Sequence, residues 1–241
     1  MFRSHATPNS ERIQTPPGLC IAPWTDSPSQ QRALADLNSR LRRSAYDFDQ
    51  ETVKWFLRDR EYDPVEAEEK LLKTAQWRRE IGMEQLSPNQ FSDELETGKV
   101  RLHEHTDVLG RPVIILDASK HFIGQYPVES TEKLCAYAVR EALNQLPDNV
   151  DTFITIFDLR RFGVSNADLK FVKYMVDLFF VYHPKRLGQS LLVDAPWVFK
   201  PVWQFVKPLL RKYAALVRFV NVSQVGREYF TDQTVPREFQ L

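Results

Sequence analysis

Residues 182–210 decide the fold class, and they read YHPKRLGQSLLVDAPWVFKPVWQFVKPLL. Leu191–Val193 is a short, continuous apolar run, which is typical of a strand that is buried on both faces. It is followed by Trp197–Lys212, where large apolar and basic residues recur at the spacing of an amphipathic helix. A buried strand followed by a helix is the repeating unit of an α/β fold.

The same alternation continues on both sides of this stretch. Short runs rich in Ile, Val and Phe predict three more buried strands, at Val113–Leu116, Phe153–Phe157 and Val217–Val220. Amphipathic stretches between the strands predict two more helices, at Glu129–Leu146 and Asn166–Tyr182. Val100–His105 is expected to add an edge strand. We therefore predict an α/β domain over residues 99–241, with a mainly parallel sheet.

The residues before this domain, 29–98, have a helical pattern. Leu34, Leu37 and Leu41 recur at three- and four-residue spacing. At Asp63–Pro64, a capping side chain precedes a proline at the first helical position, so a helix is expected to begin there. Gly82 is expected to end that helix. Residues 29–98 are therefore predicted to form an N-terminal helical bundle.

Residues 1–28 are expected to be a disordered leader. Prolines interrupt any helix in this segment, and Ser, Thr and Asn lie between them: Pro8, Pro16, Pro17, Pro23 and Pro28. A transit peptide is the alternative, because Arg3 and Arg12 lie among Ser and Thr residues. Glu11 and Asp26 argue against that alternative.

The composition excludes several classes of protein. The 241 residues include 32 basic and 32 acidic side chains, and this balance removes the simple electrostatic case for a nucleic-acid partner. Cys20 and Cys135 are too few for a disulfide scaffold and fit a reducing compartment. The eight glycines are scattered, so no glycine-rich phosphate loop can be drawn. Gly163–Ala167 lacks the second glycine of a nucleophile elbow. We expect no cofactor and no enzymatic activity.

Two groups of polar residues are candidates for chemical sites. His103 and His105 would share one face of a strand and could hold a metal ion. Since the spacing places no third ligand, ordinary residues of an exposed edge strand are the favoured interpretation, and no metal site is expected. Asp158 and Asp194 each follow a strand, where α/β proteins often bind ligands, although turn and capping roles are equally consistent with that position. No pair of carboxylates has catalytic spacing, so no catalytic residue is expected.

The segment Phe199–Leu210 carries more large apolar side chains than one core-facing stripe needs. Basic residues accompany them: Lys200, Lys207, Arg211 and Lys212. One interpretation is a helix that is buried on two sides. The other is a helix that covers an apolar cavity and contacts a membrane surface, where Trp and Lys are well accommodated. The pattern alone leaves both open.

Several separated motifs occur in the order found in one known family: Val53–Asp63, Trp77–Arg79, Asp107–Val113, Ile156–Arg160 and Tyr182–Leu210. The chain therefore resembles the CRAL-TRIO lipid-binding proteins, which include phosphatidylinositol transfer proteins. The resemblance covers about residues 49–239. It implies a mixed sheet, helices that enclose an apolar lipid cavity, and a gate at Phe199–Leu210 that moves at the bilayer.

The resemblance also implies which residues contact the lipid. Its headgroup positions are Arg60, Glu61, Lys185 and Arg218. In the phosphatidylinositol-binding members they hold Arg, Lys, Glu and Lys, so the signs of Glu61 and Lys185 are exchanged here. If these two side chains face each other, the exchange preserves an ion pair; if each touches phosphate alone, Glu61 repels it. The implied cavity and gate residues are Thr155, Phe157, Phe199, Trp203, Val206 and Leu210.

We therefore expect a soluble lipid-binding and transfer protein that takes one phospholipid, with phosphatidylinositol as a candidate, or another hydrophobic ligand. It would exchange that ligand at membranes through a mobile gate helix. A cytoplasmic, transiently membrane-associated monomer is expected, with no nucleic-acid partner. The alternative is a non-transferring scaffold or regulatory module that uses the same fold to bind a protein. An enzyme with an unrecognised site ranks third.

Overall fold

The computed structural model describes residues 10–240, with side chains from Arg12 onward. Three helices pack together as the N-terminal bundle, namely α2 (Pro28–Leu41), α3 (Gln50–Asp59) and α4 (Pro64–Ile81), whereas the short α5 (Ser92–Glu96) packs on the α/β domain. Asp63 accepts hydrogen bonds from two backbone amides at the start of α4, and Gly82 ends that helix with φ +67°. The predicted start and end of α4 are therefore confirmed.

A five-stranded sheet follows, with its strands in chain order: β1 (Val100–Leu102), β2 (Val113–Asp117), β3 (Phe153–Asp158), β4 (Leu187–Val193) and β5 (Val217–Val220). The strands from β2 to β5 are parallel, and β1 pairs antiparallel with β2 at the edge. The predicted mixed, mainly parallel sheet is confirmed. The edge strand is shorter than predicted, because the chain leaves the edge after His103 and Glu104 and His105 are exposed.

The connections between the parallel strands decide where the helices lie. They contain α6 (Val128–Asn144), α7 (Leu169–Asp177) and α8 (Lys200–Leu210). Because consecutive strands are neighbours in one direction, right-handed crossovers place all three helices on the same face of the sheet. Their buried side chains accordingly share one apolar cluster. The opposite face is covered by α9 (Val222–Tyr229), the C-terminal residues and Ile13.

The predicted disordered leader is wrong for residues 10–28. Residues 10–13 form a short helix, α1 (Ser10–Ile13), and Ile13 is 1% exposed against the sheet. Gln189 Nε2 donates to the carbonyl oxygen of Arg12 at 3.1 Å, and Thr15 Oγ1 donates to that of Gly188 at 3.2 Å. The segment is ordered because it covers a sheet face that no crossover helix reaches. Residues 1–9 of the predicted leader lie outside the described residues.

Two predicted helices differ in detail from the observed ones. The stretch at Asn166–Tyr182 becomes α7 followed by a π-helical turn at Leu178–Tyr182. The stretch at Trp197–Lys212 begins as a 3-10 turn and continues as α8, which contains Pro208. Proline has no backbone N–H to donate, so the last turn of α8 lacks one helical hydrogen bond. Between residues 10 and 240, no helix combines the length and the apolar character needed to cross a membrane.

Candidate functional site: an internal apolar cavity

A cavity of about 120 Å³ lies between the sheet and helices α7 and α8. Its lining is almost entirely apolar and includes Phe157 of β3, Leu192 of β4, Met175 of α7 and Val202 of α8. An engineered cavity of about 150 Å³ admits benzene, whereas pockets for drug-sized ligands measure about 300–1,000 Å³. The observed conformation is therefore too closed for a phospholipid, and a ligand of that size requires the helices to move.

The cavity and gate residues expected from the sequence lie around this one region. Five of them line the cavity: Phe157, Phe199, Trp203, Val206 and Leu210. Thr155 lines a void of about 10 Å³ that also contacts Phe157 and Met175, which are cavity residues. The role of these six residues in contacting a lipid stays a prediction.

Two hydroxyl groups lie on the sheet under this region: Ser190 lines the cavity, and Thr155 lines the adjacent void of about 10 Å³. Thr155 of β3 and Ser190 of β4 are neighbours across the parallel pair, and both point to the face that carries α7 and α8. Thr155 is 2% exposed, and its Oγ1 has no hydrogen-bond partner in the described chain. Sequence reasoning missed Ser190. Side chains alternate between the two faces of a sheet along β4, so Val193 lies on one face and both Leu192 and Ser190 lie on the other. This alternation could have identified Ser190.

Replacing Thr155 with Val tests whether the buried Thr155 hydroxyl lacks a hydrogen-bond partner. Val has the same shape as Thr but no hydroxyl, so Thr155→Val removes a buried unpartnered group. We expect the free energy of unfolding of the lipid-free protein to rise by about 1 kcal/mol, measured by urea unfolding. Thr131→Val is the matched control, because the Thr131 hydroxyl donates to Glu94 at 2.6 Å and its loss should destabilise the protein. A lower free energy of unfolding for Thr155→Val would contradict the conclusion that the buried Thr155 hydroxyl has no hydrogen-bond partner.

Helix α8 presents two different faces. Val202, Val206 and Leu210 are buried against the cavity, whereas Phe205 and Leu209 are exposed. The helix is therefore not buried on two sides, and the first of the two interpretations of this segment is wrong. Trp203 lies at the border, half-buried, with its ring edge against Phe219 at 5.1 Å between centroids.

A charged cluster lies at the junction of the helical bundle and the cavity. The Asp59 side chain is fully buried; Lys70 Nζ lies 2.7 Å from its Oδ2, and Arg60 Nε lies 2.9 Å from the same oxygen. Asp59 Oδ1 has no partner within the described residues. Burial lowers the pKa of Lys70, and Arg60 and Lys185 are close enough to lower it further. Arg60 also lies 3.9 Å from a carboxylate oxygen of Glu66, so the cluster holds three cations and two carboxylates.

Tyr213 connects this cluster to the cavity. Its ring stacks on Phe180, a cavity residue, at 4.5 Å between centroids. Its phenol is near Asp59 and Arg60, and burial raises its pKa. The sequence does not identify Lys70 or Tyr213, because only the fold brings both of them to Asp59 and Arg60.

The structure brings together only part of the predicted headgroup site. Glu61 is exposed, and its backbone has φ +54°. Within the described chain, its carboxylate forms no ion pair with Lys185, because the two charged groups are more than 4.0 Å apart. Lys185 Nζ instead donates to the carbonyl oxygen of Cys20 at 3.4 Å. Arg218 points to the opposite face of the sheet, where it pairs with Glu228 at 2.8 Å. The possible Glu61–Lys185 ion pair is therefore absent, and Arg218 is separated from Arg60.

A second polar network is buried beside the cavity. Lys99 and Glu94 form a buried ion pair, and Glu94 also accepts a hydrogen bond from Thr131 at 2.6 Å. Lys99 Nζ lies 3.3 Å from His121 Nδ1, and His121 Nε2 lies 3.2 Å from Asp168 Oδ2. Since the ammonium can only donate, His121 donates from Nε2 to Asp168. Burial and the nearby Lys99 lower the pKa of His121 from its ordinary value.

The other polar candidates have structural partners. His103 Nε2 bonds the carbonyl oxygen of Thr234 at 2.7 Å, and Asp158 pairs with Arg160 at 2.6 Å. Asp194 is exposed. Burial raises the pKa of the Cys135 thiol to about 12, which suits a core residue rather than a nucleophile. Among the residues that the structure describes, no group of three or more His, Cys, Asp or Glu side chains could hold a metal ion.

Fold and site together define a class of protein: a mixed α/β fold with all crossover helices on one face of the sheet, where they enclose an apolar cavity. Residues 95–239 match the model of the CRAL/TRIO domain family. The chain belongs to the CRAL/TRIO family, and the family predicted from the sequence is confirmed.

Three related proteins illustrate the similarity. A CRAL-TRIO domain-containing protein of Schizosaccharomyces pombe, C3H8.02, is 29% identical over 194 residues, which cover 72% of this chain and 44% of the relative. Phosphatidylinositol transfer protein CSR1 of Eremothecium gossypii is 24% identical over 76% of this chain and 45% of the relative. This chain thus spans less than half of the length of these two relatives. The crystal structure of Sfh5 superposes with a TM-score of 0.64 at 13% identity, covering 86% of this chain and 85% of that one, which supports the fold alone.

Proposed function

We propose that this chain is a lipid-binding and transfer protein, without covalent chemistry, that takes one phospholipid or another hydrophobic ligand into the cavity. The observation that carries the proposal is the apolar cavity beneath α8, a helix with exposed Phe205 and Leu209 on its outer face. Each buried CH₂ group contributes about 0.8 kcal/mol, so a cavity that encloses acyl chains competes with a bilayer. The protein would work as a cytoplasmic monomer that visits membranes transiently.

Exchange of the ligand requires a movable wall, and α8 has features that suit this role. Pro208 removes a hydrogen bond from its last turn. Arg211, which ends the helix, has φ +49°, a conformation that is unfavourable for a residue with a side chain. A helix with a weakened and strained end can move with a smaller loss of local stability.

An anionic headgroup would lie at the charged cluster of Arg60, Lys70 and Lys185. Arg60 and Lys70 contact the buried Asp59, and Arg60 also lies 3.9 Å from Glu66, so the cluster with Lys185 holds three cations and two carboxylates and has a formal charge of +1. Contact between Tyr213 and Phe180 places the cluster next to the cavity wall. The name of the CSR1 relative supports phosphatidylinositol as one candidate ligand.

The second candidate function is a non-transferring scaffold or regulatory module. The small volume of the cavity, about 120 Å³, favours it, because this volume holds no phospholipid without movement of the helices.

Native mass spectrometry of the full chain purified from a eukaryotic host tests the proposal. We expect the measured mass to equal that of the protein plus one lipid. An empty protein that also fails to take up phospholipid from vesicles would support the scaffold instead.

Lys185→Gln is expected to lower the fraction of protein that carries an anionic phospholipid about tenfold, because a charged hydrogen bond contributes about 1.4 kcal/mol or more. Lys173→Gln is the matched control, since Lys173 is exposed on α7 and pairs with Asp177. Equal loading of both variants would contradict the headgroup assignment.

A further inference from the structure

An uncharged segment crosses the junction between the helical bundle and the α/β domain. Residues 14–25 read QTPPGLCIAPWT and contain no acidic or basic side chain, and we call this segment the strap. The strap forms neither helix nor strand. Leu19 belongs to the apolar cluster of the crossover helices, whereas Ile21 and Trp24 pack on the core of the bundle. Side chains, rather than secondary structure, therefore hold the strap on the protein.

Two cations at the junction bind carbonyl groups of the strap. Lys185 Nζ donates to the carbonyl oxygen of Cys20 at 3.4 Å, and Arg58 Nη1 donates to that of Ala22 at 3.4 Å. The two acceptors are only two residues apart, so both cations hold the same short stretch of the strap. Each bond is long for an N–H···O hydrogen bond, and a carbonyl oxygen carries no net charge. The strap therefore binds both cations weakly.

Neither of these cations is paired with a carboxylate. Among the described residues, no acidic side chain, Glu61 included, lies within 4.0 Å of the Lys185 ammonium or the Arg58 guanidinium. Arg58 Nε is also buried without a hydrogen-bond partner in the described chain. The carboxylates at the junction contact other cations: Asp59 with Lys70 and Arg60, Glu66 with Arg60, and Asp151 with Arg186. The strap thus covers two unpaired cations and supplies only neutral oxygen atoms to them.

We propose that the strap is an autoinhibitory segment, which an anionic phosphate group displaces from Lys185 and Arg58. The inference rests on the proposed function, because Lys185 belongs to the proposed headgroup site, and it adds Arg58 and a means of regulation to that site. A phosphate oxygen brings the negative charge that the strap carbonyls lack, and Arg can bind phosphate through two parallel hydrogen bonds. While the strap is in place, it occupies donors that the headgroup needs.

The strap can be displaced without loss of a helix or a strand, since it belongs to neither. Its two ends stay attached: Gln189 Nε2 donates to the carbonyl oxygen of Gln14 at 3.3 Å, and Gln30 Oε1 accepts from the amide of Thr25 at 3.0 Å. Leu19 is 7% exposed, and its burial keeps the strap in place while no anion is bound. The segment therefore has one apolar anchor and two cation contacts, and an anion competes only for the contacts.

A charge series at Ala22 tests this competition. Ala22 is exposed, and its carbonyl oxygen accepts from Arg58, so a side chain added there lies beside an unpaired cation. Ala22→Glu gives the strap the anion that it lacks and should slow the uptake of a fluorescent phosphatidylinositol about threefold, whereas Ala22→Lys should speed it by about the same factor. Ala22→Gln should match the wild type. Donor vesicles of phosphatidylcholine with a trace of the fluorescent lipid keep the vesicle charge close to zero.

Ala35→Glu is the matched control for the charge series. Ala35 is exposed on α2, so this substitution adds the same charge outside the strap and should leave the uptake rate unchanged. Equal uptake rates for Ala22→Glu and Ala22→Lys would overturn the inference.

A spin label on Cys20 reports the position of the strap directly. Cys20 is exposed, whereas Cys135 is buried and burial raises its thiol pKa to about 12, so a thiol-specific nitroxide attaches to the strap alone. The electron paramagnetic resonance line of the lipid-free protein should narrow when vesicles containing phosphatidylinositol are added. Glycerophosphoinositol, the same headgroup without acyl chains, distinguishes the two sources of phosphate. Narrowing by glycerophosphoinositol shows that a soluble phosphate group displaces the strap; narrowing by the vesicles alone shows that a lipid headgroup is needed.

Native mass spectrometry of the same samples keeps failure of the strap distinct from failure of the proposed function. A protein that loads phospholipid while its line stays unchanged with both probes would overturn the inference and leave the proposed function standing. An empty protein whose line narrows with glycerophosphoinositol would overturn the proposed function and leave the strap as a phosphate-sensitive segment. An empty protein with an unchanged line would overturn both.

Discussion

The Trp203→Asp variant is expected to lose phospholipid transfer between vesicles while it keeps its fold. Trp203 lines the cavity, and its ring packs on Phe219 at 5.1 Å between centroids. An aspartate there places a charge at the wall that acyl chains would touch, and a carboxylate in apolar surroundings without a partner is strongly unfavourable. Because Trp203 is only half-buried, the aspartate can turn to water when the cavity is empty, so the fold is maintained. Transfer of a fluorescent phospholipid from donor to acceptor vesicles measures the effect, and we expect a loss of at least a hundredfold.

The neighbouring residue supplies the control for this prediction. Gln204 is exposed on the same helix, so Gln204→Asp adds the same charge to α8 without touching the cavity. It should retain most of the transfer rate, apart from a small loss of attraction to anionic vesicles. Trp203→Phe, which keeps an aromatic wall, should also transfer. A folded Trp203→Asp protein that transfers at the wild-type rate would remove α8 from the proposed mechanism.

The strands and the crossover helices could be predicted from the sequence for a simple reason. Strands of a parallel sheet are buried on both faces, so they appear as short runs of Ile, Val, Leu and Phe. Val217–Val220 matches the observed strand β5, and Phe153–Phe157 differs from β3 by one residue. Strand β4 begins earlier than predicted, at Leu187, because Gly188, Gln189 and Ser190 are not apolar although they are buried.

The polar parts of the site could not be predicted, because they depend on contacts between distant segments. Glu61 and Lys185 both adopt positive φ, which turns their side chains in directions that no spacing rule gives. Arg218 follows Val217, a cavity residue on the same strand, but the alternation of β5 places Arg218 on the other face. The polar, proline-rich composition around Ile13 predicts a disordered leader, whereas the burial of Ile13 depends on the sheet face that the crossover helices leave uncovered.

The second large effect concerns the buried ion pair beside the cavity. Lys99→Met is expected to lower the free energy of unfolding by about 3–5 kcal/mol, because removal of one partner leaves the Glu94 carboxylate buried without its cation. Both side chains are almost completely buried, and Glu94 contacts α6 through Thr131 and Ser130. Urea unfolding of the lipid-free protein measures the loss. Lys120→Met is the matched control, since Lys120 is partly exposed and its loss should cost less than 1 kcal/mol.

A double variant separates the charge from the packing of Lys99. In Lys99→Met with Glu94→Gln, the buried carboxylate is replaced by a neutral amide whose oxygen can still accept from Thr131. We expect this double variant to recover at least half of the loss, so that the two substitutions are strongly non-additive. If the losses simply add, the ion pair has no role beyond the volume of its side chains. Recovery would instead mean that charge pairing of Lys99 with Glu94 fixes α5 against α6, where Thr131 and Ser130 donate to Glu94.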